Sequence, residues 1–395
     1  MTSVSVLHCV CLIFFLACSA DVEAARVVFN VMNGGAIADG KTDNSKVFEN
    51  VFNQACQSSG RSVILIPGGT YMLRPVVFKG PCKGRVVFHV VGTLIAPSDM
   101  ESSATDHWIT FQYLDQLRIG GGGSLDGQGP SAWGQNTCSR SSSCKPLPAS
   151  LKLDFVTNSR ISKLTSINSK GVHMNIFACK GLELDQIYIK APADSPNTDG
   201  IHIGSSSHIN ISDSMIATGD DCISMSPGST NITMTNIKCG PGHGISVGSL
   251  GAQPDEEDVG VLTVRNCTFT GTQNGVRIKT WARPYASNVF DLTFENINMV
   301  NVNNPIIIDQ QYCPGGNCQK GDSQVQIRDV TYRNIWGISS SKVAVALDCS
   351  QSKPCQQIQL SDINLLYHGP GGPAASTCFN AKGVADGRQQ PPSCV

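Results

Sequence analysis

The sequence predicts an all-β solenoid, a parallel β-helix, on three observations: a recurring apolar pattern, a turn-rich composition and no helical stretch within the repeats. The pattern is x-apolar-x-apolar-x-x-apolar-x-apolar. It occurs at Leu182, Leu184, Ile187 and Ile189, and at Ile209, Ile211, Ser214 and Ile216 with one polar substitution. It returns at Leu262, Val264, Cys267, Phe269 and at Leu292, Phe294, Ile297, Met299. Further copies read as Val325, Ile327, Val330, Tyr332 and Ile358, Leu360, Ile363, Leu365, with a partial one at Ile232, Met234, Ile237. First positions are separated by 27, 23, 30, 30, 33 and 33 residues. Alternation inside each copy indicates strands, and the two-residue skip indicates a bend. A period in this range means a solenoid or a propeller, and a propeller blade needs four strands in about 40–50 residues, more than these repeats hold. The spacing of a leucine-rich repeat is absent. Composition agrees: only 15% of residues are charged, and 39 Gly and 20 Pro disfavour helix.

A coil of such a fold cannot bury its own apolar face, so stacking must build one continuous core. Its ends are strand edges that need covering. The segment Ser45 to Cys56, with Val47, Val51, Phe52 and Ala55 on one helical face, is the candidate N-terminal cap. The Pro/Gly-rich tail after Gly369 is the candidate for the other end. No linker divides the chain, so residues 26–395 are expected to form one domain.

Residues 1–20 read as a secretory signal peptide, with cleavage after Ala20 or as late as residue 25. The apolar run Val10 to Ala17 is too short to span a bilayer, and Asp21 and Glu23 follow it. Setting aside Cys9, Cys11 and Cys18 of the leader leaves 14 of 17 cysteines, an even number suited to disulfides in an oxidising compartment. Short-range pairs are Cys138–Cys144, Cys313–Cys318, Cys349–Cys355 and Cys378–Cys394, with Cys222–Cys239 and Cys56–Cys82 also fitting. Cys179 and Cys267 remain unassigned. No Cys-x-x-Cys spacing supports zinc. Asn210, Asn231 and Asn266 are N-glycosylation acceptors. With net charge −1 and pI near 6.7, no global field draws nucleic acid or a membrane, so an anionic ligand must be held by local cations.

Asn197-Thr198-Asp199-Gly200 taken alone is turn chemistry, and Gly242-His243-Gly244 alone is a loop. Gly219-Asp220-Asp221-Cys222 is odder, since adjacent carboxylates repel. Spacing unites them: Asp199 to Asp221 and Asp221 to His243 are each 22 residues, about one coil. Residues one coil apart stack at roughly 4.8 Å. Packed carboxylates cannot all ionise at ordinary pKa values, so at least one should hold a proton, which a histidine can fix or share. An acid/base pair without metal, cofactor or nucleophilic Ser or Cys suits glycoside hydrolysis. In the next coil Arg277 and Lys279 point the same way and form a two-cation clamp for a substrate carboxylate. An acidic sugar polymer is the ligand these features predict.

Asn197-Thr198-Asp199, Gly219-Asp220-Asp221, Gly242-His243-Gly244 and Arg277-Ile278-Lys279, in this order, resemble the four signature motifs of polygalacturonases in glycoside hydrolase family 28. The likeness covers most of the mature chain, including Ser124 to Gly129 and Cys239 to His243. Pro305 to Pro314 resembles the plant pollen-type, exo-acting branch. The resemblance implies a single-stranded, right-handed parallel β-helix of the pectin-lyase-like type, secreted to the cell wall. It implies hydrolysis of α-1,4 bonds of polygalacturonate with inversion, by a monomer that needs no cofactor. Residue by residue, it makes Asp220 the general acid, Asp199 and Asp221 the water-activating pair, and His243 the support of the acid. Arg277 and Lys279 would hold the galacturonate carboxylate, Tyr312 would line the subsite, and Asn197 would be peripheral. Stacking at about 4.8 Å is nearer the carboxyl separation of retaining enzymes, about 5–5.5 Å, than the 6.5–9.5 Å of inverting ones. Inversion therefore rests on the resemblance. Thr280-Trp281-Ala282-Arg283-Pro284 departs from the Gly-rich turn of many relatives.

Four other readings compete. Gly127 to Ala132 matches a dinucleotide fingerprint formally, but Pro130 and the missing helix exclude it. A pectate-lyase-like eliminase would want an acidic calcium site and an arginine base. A non-catalytic pectin-binding wall protein is the non-enzyme alternative, and endo attack is the alternative within the family. The segment Gln135 to Pro148 is the candidate wall that would make the cleft exo-acting.

Overall fold

The computed structural model describes residues 26–99, 105–136, 146–316, 318 and 321–395. The leader and the Cys138–Cys144 pair lie outside the described residues. Regular structure is almost wholly β, in a 19-stranded and an 11-stranded sheet. The chain visits them alternately: Asn288–Val302 in the larger sheet, Asn304–Tyr312 in the smaller, then Gln326–Ser339 in the larger again. Neighbours along the axis pair in parallel in both sheets. This is a single-stranded parallel β-helix, wound in the right-handed sense that β-crossover-β connections take. Interior side chains form one apolar column from Val31 to Ala374.

The register of the repeats follows the apolar pattern. Leu182, Ile209, Ile232, Leu262 and Leu292 lie opposite one another in successive strands. Bends fall at the two-residue skip, where Gln186, Asp213, Asn236, Asn266 and Asn296 each take a positive φ between 50° and 59°. Asn and Asp tolerate that conformation best among residues with a side chain. Ser214, the polar substitution, serves the bend: it is buried and accepts the Ile187 N–H at 3.1 Å.

One copy is displaced from the expected register. Leu292 lies opposite Val330, not Val325, and Phe294 lies opposite Tyr332. An extra buried alternation, Val325 just before the strand and Ile327 within it, precedes the repeat proper. The fourth position of the true copy is Gly337, which has no side chain to reveal it. The repeats also begin earlier than Leu182. Ser159, Ile161, Leu164 and Ser166 lie opposite Leu182, Leu184, Ile187 and Ile189, the two serines hiding the pattern.

The cap helix forms as Ser45–Gln57 and buries Phe48, Val51, Phe52 and Ala55, with Cys56 tied to Cys82. At the other end the tail adds strands to both sheets, Ala375–Phe379 and Ala381–Gln390, pinned by Cys378–Cys394. Cys222–Cys239, Cys313–Cys318 and Cys349–Cys355 are also formed. Cys179 and Cys267 are buried free thiols. Among the described residues no helix is long and apolar enough to cross a membrane.

Candidate active site

Three strands of the smaller sheet set the site. Ile201–Gly204, Ile223–Met225 and Ile245–Leu250 pair with Ile201 opposite Ile223 and Ile223 opposite Ile245, which fixes the 22-residue offset. The residues just before them inherit it. Gly200 N–H donates to Asp221 O at 2.9 Å, and Cys222 N–H donates to Gly244 O at 2.8 Å. Asp199, Asp221 and His243 therefore follow one another at one edge of the solenoid, with Asp220 beside Asp221. The Cys222–Cys239 bridge ties the middle turn to the larger sheet.

The carboxylates differ in surroundings. Asp221 is buried, its side chain 1% exposed. Its Oδ1 accepts from Arg277 Nη2 at 2.8 Å and Ser246 Oγ at 2.7 Å, and its Oδ2 accepts from Lys279 Nζ at 2.9 Å. Burial alone would push it up, but Lys279 and Arg277 outweigh that and hold it below the ordinary carboxylate value. Asp199 has no such partner. Among the described residues its one side-chain hydrogen bond comes from Ser224 Oγ at 2.8 Å, with His202 Nδ1 farther off at 3.9 Å, and burial with the nearby charges of Asp220 and Asp221 pushes it up to about 8. Asp220 is more open, its side chain 21% exposed, and its Oδ1 lies 3.0 Å from His243 Nδ1. That hydrogen bond raises the His243 pKa against the opposing effect of burial.

Arg277 and Lys279 occur together on one face of Asn274–Trp281, as alternation predicts. The structure gives them a partner that the sequence did not suggest: both are buried against Asp221. Tyr312 covers them, with its ring centre 5.1 Å from Lys279 Nζ and 5.9 Å from the Arg277 guanidinium. Trp281, in the departing loop, meets Tyr312 edge-on at 5.2 Å. Asn197 is exposed in a left-handed turn, and its Oδ1 accepts from Asn136 Nδ2 at 2.9 Å.

Asp220, Asp221 and His243 each offer a ligand atom, all within 4.8 Å of one another. A divalent cation fits poorly there, because Arg277 and Lys279 already bring two positive charges to Asp221.

The profile of Glycosyl hydrolases family 28 matches residues 56–393. The chain belongs to this family. Among curated relatives, this family-28 chain is 44% identical to an exopolygalacturonase of Platanus acerifolia over 94% of its own length and 98% of that protein. Its fold matches an endo-xylogalacturonan hydrolase from Aspergillus tubingensis with a TM-score of 0.76 at 24% identity, covering 93% of this chain and all of that one. It matches an exopolygalacturonase from Thermotoga maritima at 0.72 and 19% identity, over 87% and 90%. These fold matches include both exo- and endo-acting proteins, so the fold does not decide the mode of attack.

Sequence reasoning missed the row beneath the carboxylates. His202, Ser224, Ser246 and Arg277 lie in direct register on the outward face. Ser224 and Ser246 each donate to one aspartate. His202 bridges two serines, with Nδ1 2.8 Å from Ser224 Oγ and Nε2 3.0 Å from Ser226 Oγ. Burial lowers its pKa, so the neutral ring is favoured. The signal was present, since Ser224 and Ser246 repeat the same 22-residue offset.

Proposed function

We propose that this family-28 chain is a secreted polygalacturonase that hydrolyses α-1,4-galacturonosyl bonds of pectin with inversion, attacking from a chain end. The carrying observation is three aspartates in different surroundings: Asp221 is buried and paired with Arg277 Nη2 at 2.8 Å and Lys279 Nζ at 2.9 Å, buried Asp199 accepts from Ser224 Oγ at 2.8 Å, and the more open Asp220 lies 3.0 Å from His243 Nδ1. An inverting glycosidase needs a division between an acid and a base. In the productive complex the Asp220 carboxyl protonates the leaving oxygen, while Asp199 and Asp221 activate the attacking water. His243 holds the Asp220 carboxyl in place and stabilises its charge once the proton has gone. Arg277, Lys279 and Tyr312 line the carboxylate-binding side, and Asn197 stays peripheral.

Exo attack is supported by the exopolygalacturonase name of the Platanus relative. Secretion is supported by the leader pattern and by five disulfides among the described residues. Asn210, Asn231 and Asn266 all lie on exposed faces where N-glycans would be accommodated. The test is polygalacturonate digestion. Reducing ends should appear with no absorbance of an unsaturated product, with galacturonate monomer present from the outset and viscosity falling slowly. An early collapse of viscosity with an oligomer ladder would contradict exo attack, and an unsaturated product would contradict hydrolysis.

A further inference from the structure

Two rows of side chains meet on the first coils, apart from the aspartate cluster. One is aromatic. Tyr113, Phe155 and Phe177 stand at the ends of successive strands of the smaller sheet, 45%, 42% and 44% exposed. Tyr113 and Phe155 stack at 4.9 Å, and Phe155 meets Phe177 edge-on at 6.0 Å. Three adjoining rings left half in water form an apolar platform, with Lys79 Nζ 5.7 Å from the Tyr113 ring centre at one end. The other row is cationic. Arg26, Arg61 and Arg85 lie in direct register in neighbouring strands of the larger sheet. Like charges in register repel, so such a row favours an anionic ligand. Among the described residues none of these arginines has an ion pair; Arg85 donates to the Gln116 carbonyl instead. A single groove lined by Lys83, Arg85, Tyr113 and Phe155 joins the two rows. The carboxylate in that groove, Asp115, is already engaged by Thr157 and Asn158 at 2.7 Å each.

We infer that these rows form a second, non-catalytic binding surface for the anionic polysaccharide itself. The apolar faces of sugar rings would lie on Tyr113 and Phe155, and the carboxylates would be held by Arg61, Lys83 and Arg85. Flat aromatic rings offer large apolar area and guanidinium forks match carboxylates, so together they select a polymer of acidic sugars. The cationic row is distinct from the cleft because Arg61 and Arg85 belong to the larger sheet; the aromatic row shares the smaller sheet but follows the ends of earlier strands, whereas Asp199 and Asp221 precede the strands they serve. A chain held here keeps the enzyme on its insoluble substrate between cleavage events.

The inference rests on galacturonan being the substrate of the cleft, and two readouts keep the claims apart. Turnover of trigalacturonate tests the cleft, and depletion of protein onto insoluble low-ester pectate tests the rows. The pairs R61Q/R85Q and Y113A/F155A, all at exposed positions, should each weaken pectate binding by about tenfold or more, the loss of one or two charge-assisted or stacking contacts. Their kcat/KM on trigalacturonate should stay at the wild-type value. Raising NaCl to about 0.5 M should abolish the wild-type advantage over R61Q/R85Q, because exposed charges are screened. Wild-type-like pectate binding by both pairs would overturn the inference. So would equal wild-type binding to fully methyl-esterified pectin, or a parallel loss of trigalacturonate turnover, which would place the rows' effect in the cleft.

Discussion

Asp199 and Asp221 are chemically identical and occupy equivalent places one coil apart, yet the protein treats them oppositely. The difference lies in the strand Asn274–Trp281, whose Arg277 and Lys279 donate hydrogen bonds to Asp221, while among the described residues the side-chain donor to Asp199 is Ser224 Oγ. This has a measurable cost. Asp199 titrates near 3.8 when unfolded and near 8 when folded. Below about pH 4 both states hold the proton; between the two values only the unfolded chain releases it, so wild-type stability falls as pH rises through that window. Asp199→Asn removes the effect. Its Tm should exceed the wild-type Tm by an amount that grows from about pH 4 to about pH 8, reaching at least about 2 °C. Thermal scans across that range check it, and a difference independent of pH would contradict it. The four motifs were legible at this scale because each places a charged or titratable residue at a fixed offset. Ser224 and Ser246 carried only their 22-residue offset and His202 not even that, because serine and histidine on a strand look the same whether they face water or a carboxylate.

At the scale of the element, the site depends on turns that bring backbone to backbone. Gly244 follows His243 with φ +89°, and a Cβ there would meet the carbonyl oxygens of Asn274 and Gly275 in the next coil. Gly244 O also receives the Cys222 N–H that holds the Asp221 turn. Gly244→Ala should therefore cost about 1–3 kcal/mol of stability and lower kcat by displacing His243 from Asp220. Thermal denaturation and steady-state kinetics test this, and a variant with wild-type Tm and kcat would show that the turn has room to spare. Repeats were legible wherever both strands of a copy were apolar. They were lost where Ser159 and Ser166 take core positions to satisfy the backbone N–H of Leu117 and to meet His173 Nδ1. Register was lost where Gly337 removed the last mark of a copy and Val325 and Ile327 supplied a false first one. In both places side-chain chemistry local to a bend outweighed the periodic pattern.

Across the whole molecule, net charge near zero conceals an uneven distribution. The cations Arg277 and Lys279 share one ion-pair partner, Asp221, whereas among the described residues Arg26 and Arg61 on the first coils have none. Composition could not show this separation, because it depends on which strands become neighbours. Each coil contacts chiefly the next, so the solenoid positions its cleft by accumulating strand spacings, and a single register places all four motifs. If this register builds the hydrolytic cleft proposed above, Asp220 is the group that delivers the proton. Asp220→Asn keeps the shape of the side chain and removes its acid function. The direct test is steady-state turnover of polygalacturonate by wild type and Asp220→Asn, both confirmed folded by their Tm. The account predicts a fall in kcat of roughly 10²–10⁴-fold with KM little changed. A variant that turns over at the wild-type rate would contradict it.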